Sequence, residues 1–206
     1  MPKINFLLFL LFLCQLSCEQ NSSTTSTTNA FKNQKLLFEP LSQEEIKTLE
    51  AEVDALNSNG EKRQFLLDIY TIDQQVRNES TAAQTAFGFK STEHNAATQK
   101  MWITDKRNLI QIEAYLEKFG HPTKEGVGDP ATLAPWIVIH HASEKEPRIR
   151  NFSYLHQAYK NGDLEGGEFA FYLNRLYFIE FGKRMEIKSP FREEDEIAKL
   201  IEELKL

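Results

Sequence analysis

The sequence predicts an all-α fold: a single irregular bundle of about six to seven helices over residues 36–206, behind a flexible N-terminal tether. Three observations predict it. Apolar residues recur at three- and four-residue intervals through most of the chain after Leu36, the spacing that gathers them on one helix face. Serine caps and glycine or proline stops bound these stripes. The one apolar run that composition alone would also allow as a strand, residues 136–139, has no visible partner strand elsewhere. The roughly 165 residues beyond the tether are enough for one domain with a real core.

The elements follow in order. Ser42-Gln43-Glu44-Glu45 is a capping box, and Leu41, Ile46, Leu49, Val53 and Leu56 keep helical spacing until Gly60 supplies a stop. A second helix is expected over residues 62–78 on Phe65, Leu66, Ile69, Ile72 and Val76. Residues 80–93 read as a loop, because their apolar residues gather only at Phe87-Gly88-Phe89. A third helix over 96–119 carries the stripe Trp102, Asp105, Leu109, Ile112 and Leu116, and Gly120-His121-Pro122 ends it. Residues 126–130 read as another loop. Thr132 is placed to cap a short helix carrying residues 136–142, with Pro135 in the first turn, where a missing N–H is tolerated. Pro147 opens the next helix and Asn161-Gly162 closes it. Residues 169–181 form a strongly aromatic helix ending at Gly182. Beyond Pro190, Ile197, Leu200, Ile201 and Leu204 mark a last amphipathic helix.

The N-terminus carries an address. Lys3 precedes an apolar run over residues 6–13, and Leu16-Ser17-Cys18 follows. The run is shorter than the roughly 20 apolar residues of a membrane span and fits the core of an export signal. Leu16-Ser17-Cys18 resembles the bacterial lipobox, whose cysteine becomes the lipidated first residue. The expected organisation is therefore a signal peptide over 1–17, a lipidated Cys18 with its polar tether over 18–35, and the helical domain. Cys14 is the poorer anchor because bulky Leu13 precedes it. Only Cys14 and Cys18 occur, so cleavage leaves Cys18 without an internal disulfide partner. The predicted location is the bacterial envelope, with the membrane as partner through the lipid on Cys18. Gln15 departs from the lipobox pattern, and plain secretion to the periplasm or medium is the alternative.

Charge and motif content narrow the function. The chain carries a net charge of −6. Loss of Lys3 with the signal leaves twenty-three basic against thirty acidic residues, or −7. That balance excludes a general nucleic-acid binder, which shows a basic face. No nucleophile elbow, phosphate loop, dinucleotide fingerprint or paired cysteine spacing is present, so neither cofactor nor metal is expected. The partner expected besides the membrane is an envelope protein or a small-molecule ligand.

Candidate site residues come from spacing. Asp73 and Arg77 lie four apart on the second helix and face each other as an ion pair, either a cleft carboxylate held by arginine or a surface bridge. Asp105 falls on the apolar stripe of the third helix, where an acid must be paired or bonded, and Asn108 lies one turn later. The two read as the polar floor of a pocket or as an internal network tying helices together. His140 and His141 close the short Trp136 helix and point about 100° apart, so one at most faces a given site.

The order of these pieces resembles an uncharacterised bacterial family, domain of unknown function 6624. The matching residues are Asp73-Gln74-x-x-Arg77, Trp102-x-x-Asp105-x-x-Asn108, Gly120-x-Pro122, Gly128, Pro135-Trp136-Ile137-Val138-x-His140-His141-Ala142, and Asn174-Arg175 ahead of Gly182. His140 stands where the family has glutamine, and His141 matches the family histidine. Asn174 replaces the usual aspartate, and Lys183-Arg184-Met185 replaces the family's ending after Gly182. The resemblance implies a mostly helical, often exported protein and supplies no reaction. The cleft expected from residues and resemblance together is lined by Asp73, Arg77, Asp105, Asn108 and His141. It belongs to a binding or interaction module or, alternatively, to a small hydrolase-like enzyme in which Asp105 and His141 activate water. Changing Cys18 to Ser is expected to release the protein from the membrane fraction of cells. Unchanged attachment rejects the lipid anchor.

Overall fold

A computed structural model describes residues 41–186 and 192–206. The signal segment, Cys18 and the tether lie outside those residues, as does the expected start of the domain at residue 36. Contacts gather Pro40–Leu206 into one unit. The described residues hold nine α-helices, one 3-10 turn and no strand, so the all-α expectation holds and the expected six to seven helices are too few.

Helix α1, Gln43–Asp54, starts at the expected box: Ser42 N–H donates to Glu45 at 2.9 Å, and Glu45 N–H returns a bond to the Ser42 hydroxyl at 3.2 Å. Gly60 is not its stop. A second box, Ser58 with Glu61, opens α2 at Asn59 and leaves Gly60 in the first turn. Helix α2, Asn59–Phe87, also runs through most of the stretch expected to be a loop, and only residues 88–91 link it to α3, Thr92–Phe119. Apolar periodicity misreads this region because the helices there have little to bury. Ala82, Ala83, Gln84 and Ala86 favour helix on propensity alone. The Thr85 hydroxyl bonds back to the Thr81 carbonyl at 2.9 Å, and α3 supports the stretch through Ser80–Thr98 at 3.2 Å and Lys100–Glu79 at 2.6 Å. Gly88, at φ +90°, ends α2, a conformation that a side chain would strain.

The third helix begins four residues earlier than its stripe suggested, because Ser91 caps it at His94 N–H, 3.1 Å. Trp102 does not belong to its core face. It is 41% exposed, while Asn108, Ile112, Tyr115 and Leu116 are buried. Part of the expected loop over 126–130 is a one-turn helix, α4, Lys124–Val127, capped by Thr123. Thr132 does not cap the following helix. Its hydroxyl donates back to the Gly128 carbonyl at 3.1 Å within the 3-10 turn Ala131–Leu133, and α5, Ala134–His141, follows directly with Pro135 in its first turn. The helix expected from Pro147 onward is two, α6 (Lys145–Arg150) and α7 (Phe152–Asn161). Asn151 breaks them by turning its amide onto the Pro147 carbonyl at 2.8 Å and Glu113 at 2.6 Å. Helices α8, Gly166–Phe181, and α9, Glu193–Leu204, complete the described chain.

The long α2–α3 hairpin is the frame. Helix α1 lies along α3, and α5 enters between the hairpin and α8, with α9 packed on α8. Leu66, Ile112, Ile139, Leu155, Phe169 and Leu173 form the centre of the core, essentially without exposed surface.

Helix α5 is short and apolar on nearly every side, so its position depends on its ends. Arg148 fixes one of them. This side chain is fully buried, and its guanidinium donates to the Ala142 carbonyl at 3.0 and 2.8 Å and to the His140 carbonyl. Those carbonyls close the helix, where the backbone dipole presents partial negative charge. Burial lowers the Arg148 pKa to about 10, which still leaves it charged at neutral pH. The Arg148 carbonyl in turn accepts from the Tyr172 hydroxyl at 2.7 Å, which joins α5, α6 and α8. Replacing Arg148 by Ala orphans two buried carbonyls and is expected to cost about 2–5 kcal/mol in urea unfolding. A change below the error of that measurement refutes the clamp.

Candidate functional site

Four of the five expected cleft residues meet where α2, α3 and α5 adjoin. Asp73 and Arg77 sit one turn apart on α2, Asp105 faces them from α3, and His141 reaches in from the last turn of α5. Arg77 is the hub. Its Nη2 lies 2.9 Å from Asp105 Oδ1 and 3.4 Å from Asp73 Oδ1, and its Nε donates to His141 Nε2 at 3.1 Å. His141 Nδ1 lies 3.0 Å from Asp73 Oδ1, and Gln74 donates to Asp73 Oδ2 at 2.8 Å. The Asp73–Arg77 pair is thus no surface bridge, since the Asp73 side chain is 1% exposed.

The geometry assigns the ring proton. An arginine N–H can only donate, so His141 Nε2 must offer its lone pair. The remaining proton sits on Nδ1 and is donated to Asp73. The cluster therefore holds two carboxylates, one guanidinium and a neutral imidazole. Burial pushes the Asp105 carboxyl above its ordinary pKa, against the pull of the Arg77 charge. Asp73 lies closed inside, while Arg77, Asp105 and His141 keep 21%, 19% and 24% of their side chains exposed. The result is a buried carboxylate floor under a half-open rim.

Asn108 is not bonded into this group. It is 3% exposed, one turn beyond Asp105, and its Nδ2 finds no partner among the described residues. His140 turns away from the cluster, as the helical offset requires. Its ring stacks on Phe171 at 4.4 Å and meets the His141 ring edge-on at 5.5 Å. His156 stacks between Phe152 and Phe169 in the aromatic packing of α7 and α8 and takes no part. Asn174 bonds Glu196 at 2.6 Å, tying α8 to α9, while Arg175 is exposed beside it and within electrostatic range of His140.

Sequence reasoning missed Arg148 and Phe171. Arg148 hides in the charged run Glu144-Lys145-Glu146-Pro147-Arg148-Ile149-Arg150, and Phe171 hides among the aromatic residues of α8. A period-3.6 reading of α8 could have found Phe171, because it falls opposite the buried Tyr172, Leu173 and Leu176, on the exposed face with Arg175 and Phe178. Among the described residues no group of three or more His, Cys, Asp or Glu is placed to hold a metal ion. No helix among them is long and apolar enough to cross a membrane. Comparison with family models, curated proteins and solved structures finds no match.

His140 gives this region a pH signature. Burial first, then the nearby Arg148, lowers its pKa from 6.5 to about 3. The unfolded chain therefore takes up the proton first as pH falls. The stability of the neutral buried ring is full above pH 6.5 and is lost on the way down to about pH 3. His140→Phe keeps the stack on Phe171 and the backbone carbonyl that Arg148 holds. It is expected to flatten the decline of unfolding free energy across that window, and an identical pH profile contradicts the assignment.

Proposed function

We propose that this domain is a binding module displayed on the bacterial envelope through a lipid on Cys18, with Asp73, Arg77, Asp105 and His141 as the floor of its cleft and Asn108 behind it. The observation that supports this reading is the surplus of acceptors at a half-open site. Two carboxyl groups share one guanidinium: Asp73 is closed inside, while Asp105 stands on a rim that solvent reaches. Phe171, 59% exposed, adds an aromatic face separated from His141 only by the His140 ring. A small ligand carrying an ammonium group fits this chemistry, with its N–H donors on Asp105 and its apolar part near Phe171. The floor is already held in place by Asp73 and Gln74, so little ordering remains to be done on binding.

The grip of Asp73 on His141 Nδ1 is also how a carboxylate prepares a histidine base, and it favours a second reading, water activation by Asp105 and His141 in a hydrolase-like enzyme. That reading requires Arg77 to leave His141 Nε2, whose lone pair it engages. Titrating butylammonium into the ¹⁵N-labelled mature chain separates the two. Binding is expected to move the His141 ring and Arg77 Nε signals saturably, and Asp105→Asn is expected to abolish the response. Silence in the unaltered chain rejects the ammonium site. Hydrolysis of p-nitrophenyl acetate that His141→Ala abolishes transfers the assignment to the enzyme.

A further inference from the structure

Beyond Arg77 and Asp105 the α2–α3 pair continues as a two-helix arm. Of residues 78–104 only Ser80 and His94 are buried. Charge is sparse near the apex: from Ser80 to Thr92 the only charged residue is Lys90, with exposed Glu93 following it, in a chain that is 26% charged. At its apex Phe87 and Phe89 are 60% and 68% exposed on either side of Gly88. This turn is braced. Lys90, at φ +66°, donates its backbone N–H to His94 Nδ1 at 3.2 Å, and the His94 ring packs 5.3 Å from the Phe89 ring. Phe89 is therefore presented on a braced turn, with Phe87 on the other side of Gly88.

We propose that this apex is a lipid-contacting finger, in which Phe87 and Phe89 enter the interfacial zone of a bilayer while Lys90 stays at headgroup level. Three features favour lipid over a protein partner. The apex is the convex end of a helical hairpin, a shape that indents a soft surface. The stretch that holds both phenylalanines, residues 80–92, carries no acidic residue to resist entry into a bilayer. Its aromatic rings stand next to a lysine whose Nζ lies 5.5 Å from the Phe89 ring centre, so stem and ring can be buried while the ammonium remains wet.

The place where the chain enters the domain agrees. Helix α1 runs parallel to α3: Glu45 faces Arg107, Glu52 bonds Gln111 at 2.7 Å and Asp54 pairs with Lys118 at 3.1 Å. Ser42 lies near Arg107, and the apex lies about 24 Å beyond Arg107 along α3, in the direction in which the N-terminal end of α1 also points. The segment from Cys18 to Pro40 can extend up to about 80 Å, so a lipid on Cys18 and the apex can engage one bilayer. That reach rests on the lipid-anchor reading, whereas the finger does not.

The test uses the mature chain with Cys18→Ser, so that no acyl group contributes. It is mixed with extruded vesicles of phosphatidylcholine and phosphatidylglycerol and followed by flotation. The protein is expected to float with the vesicles, and Phe87→Ser with Phe89→Ser is expected to weaken partitioning roughly tenfold without changing the melting temperature. In a separate Phe89→Trp variant, the added emission is expected to shift to the blue and to be quenched by brominated lipid. An unaltered apex that leaves the vesicles unbound, or a double variant that floats equally well, overturns the finger. Because Cys18 is absent from this assay, failure here leaves the anchor to be judged separately by cell fractionation.

Discussion

A buried cation without a carboxylate partner among the described residues governs the arrangement. Arg148 is taken fully out of water and meets carbonyl oxygens at the end of α5 instead of an acid. An unpaired charge in the interior is costly, so this side chain stays folded inward only while those carbonyls are there to receive it. The dependence is mutual. Helix α5 has no polar face to orient it, and its last turn carries both histidines. With its C-terminal carbonyls pinned, the His141 ring arrives at α2 and α3 in a set position. Tyr172 extends the constraint to α8, so the same residue ties α8, which carries Phe171, to the end of α5.

The cluster that this clamp positions is uneven by construction. Asp73 is closed from water and bound by Gln74, Arg77 and His141, so its negative charge is well compensated. Asp105 faces the same guanidinium from the other side, and burial works against its charge. Arg77 must serve both acids and the imidazole with one planar group, which sets the geometry of all three. A fully enclosed network of this kind contributes little more than apolar packing would. The half-open rim is what separates the cluster from simple architecture.

Much of this was legible in the sequence, for reasons that differ by region. The Ser42 box, the Gly120 and Gly182 stops and the helical stripes are local chemistry, and they read directly. Asp105 on an apolar stripe correctly demanded a partner, and the four-residue spacing placed Asp73 beside Arg77. That Arg77 answers Asp105, and that His141 completes the ring from 64 residues away, is a tertiary fact without a local signal. The misread stretch 80–93 has a different cause. Periodicity reports what a helix buries, and the arm buries almost nothing. Its alanines and its caps carried the information instead. The split at Asn151 escaped because a side-chain amide competing for backbone carbonyls leaves no mark on the apolar pattern.

The hairpin formed by α2 and α3 is continuous in sequence but not in cohesion. Near Ile69 and Ile112 the two helices are locked by core packing, whereas past Arg77 the contacts between them include a serine–threonine contact, an exposed ion pair and the histidine at the turn, and few side chains are buried. Local opening draws on the cheapest contacts first. The outer half of the hairpin can therefore loosen and close again while the inner half keeps its register, with Arg77 and Asp105 at the boundary. The charged cluster lies where the buried part of the hairpin gives way to the exposed part, so opening of the outer turns reaches Arg77 and Asp105 before it reaches the core.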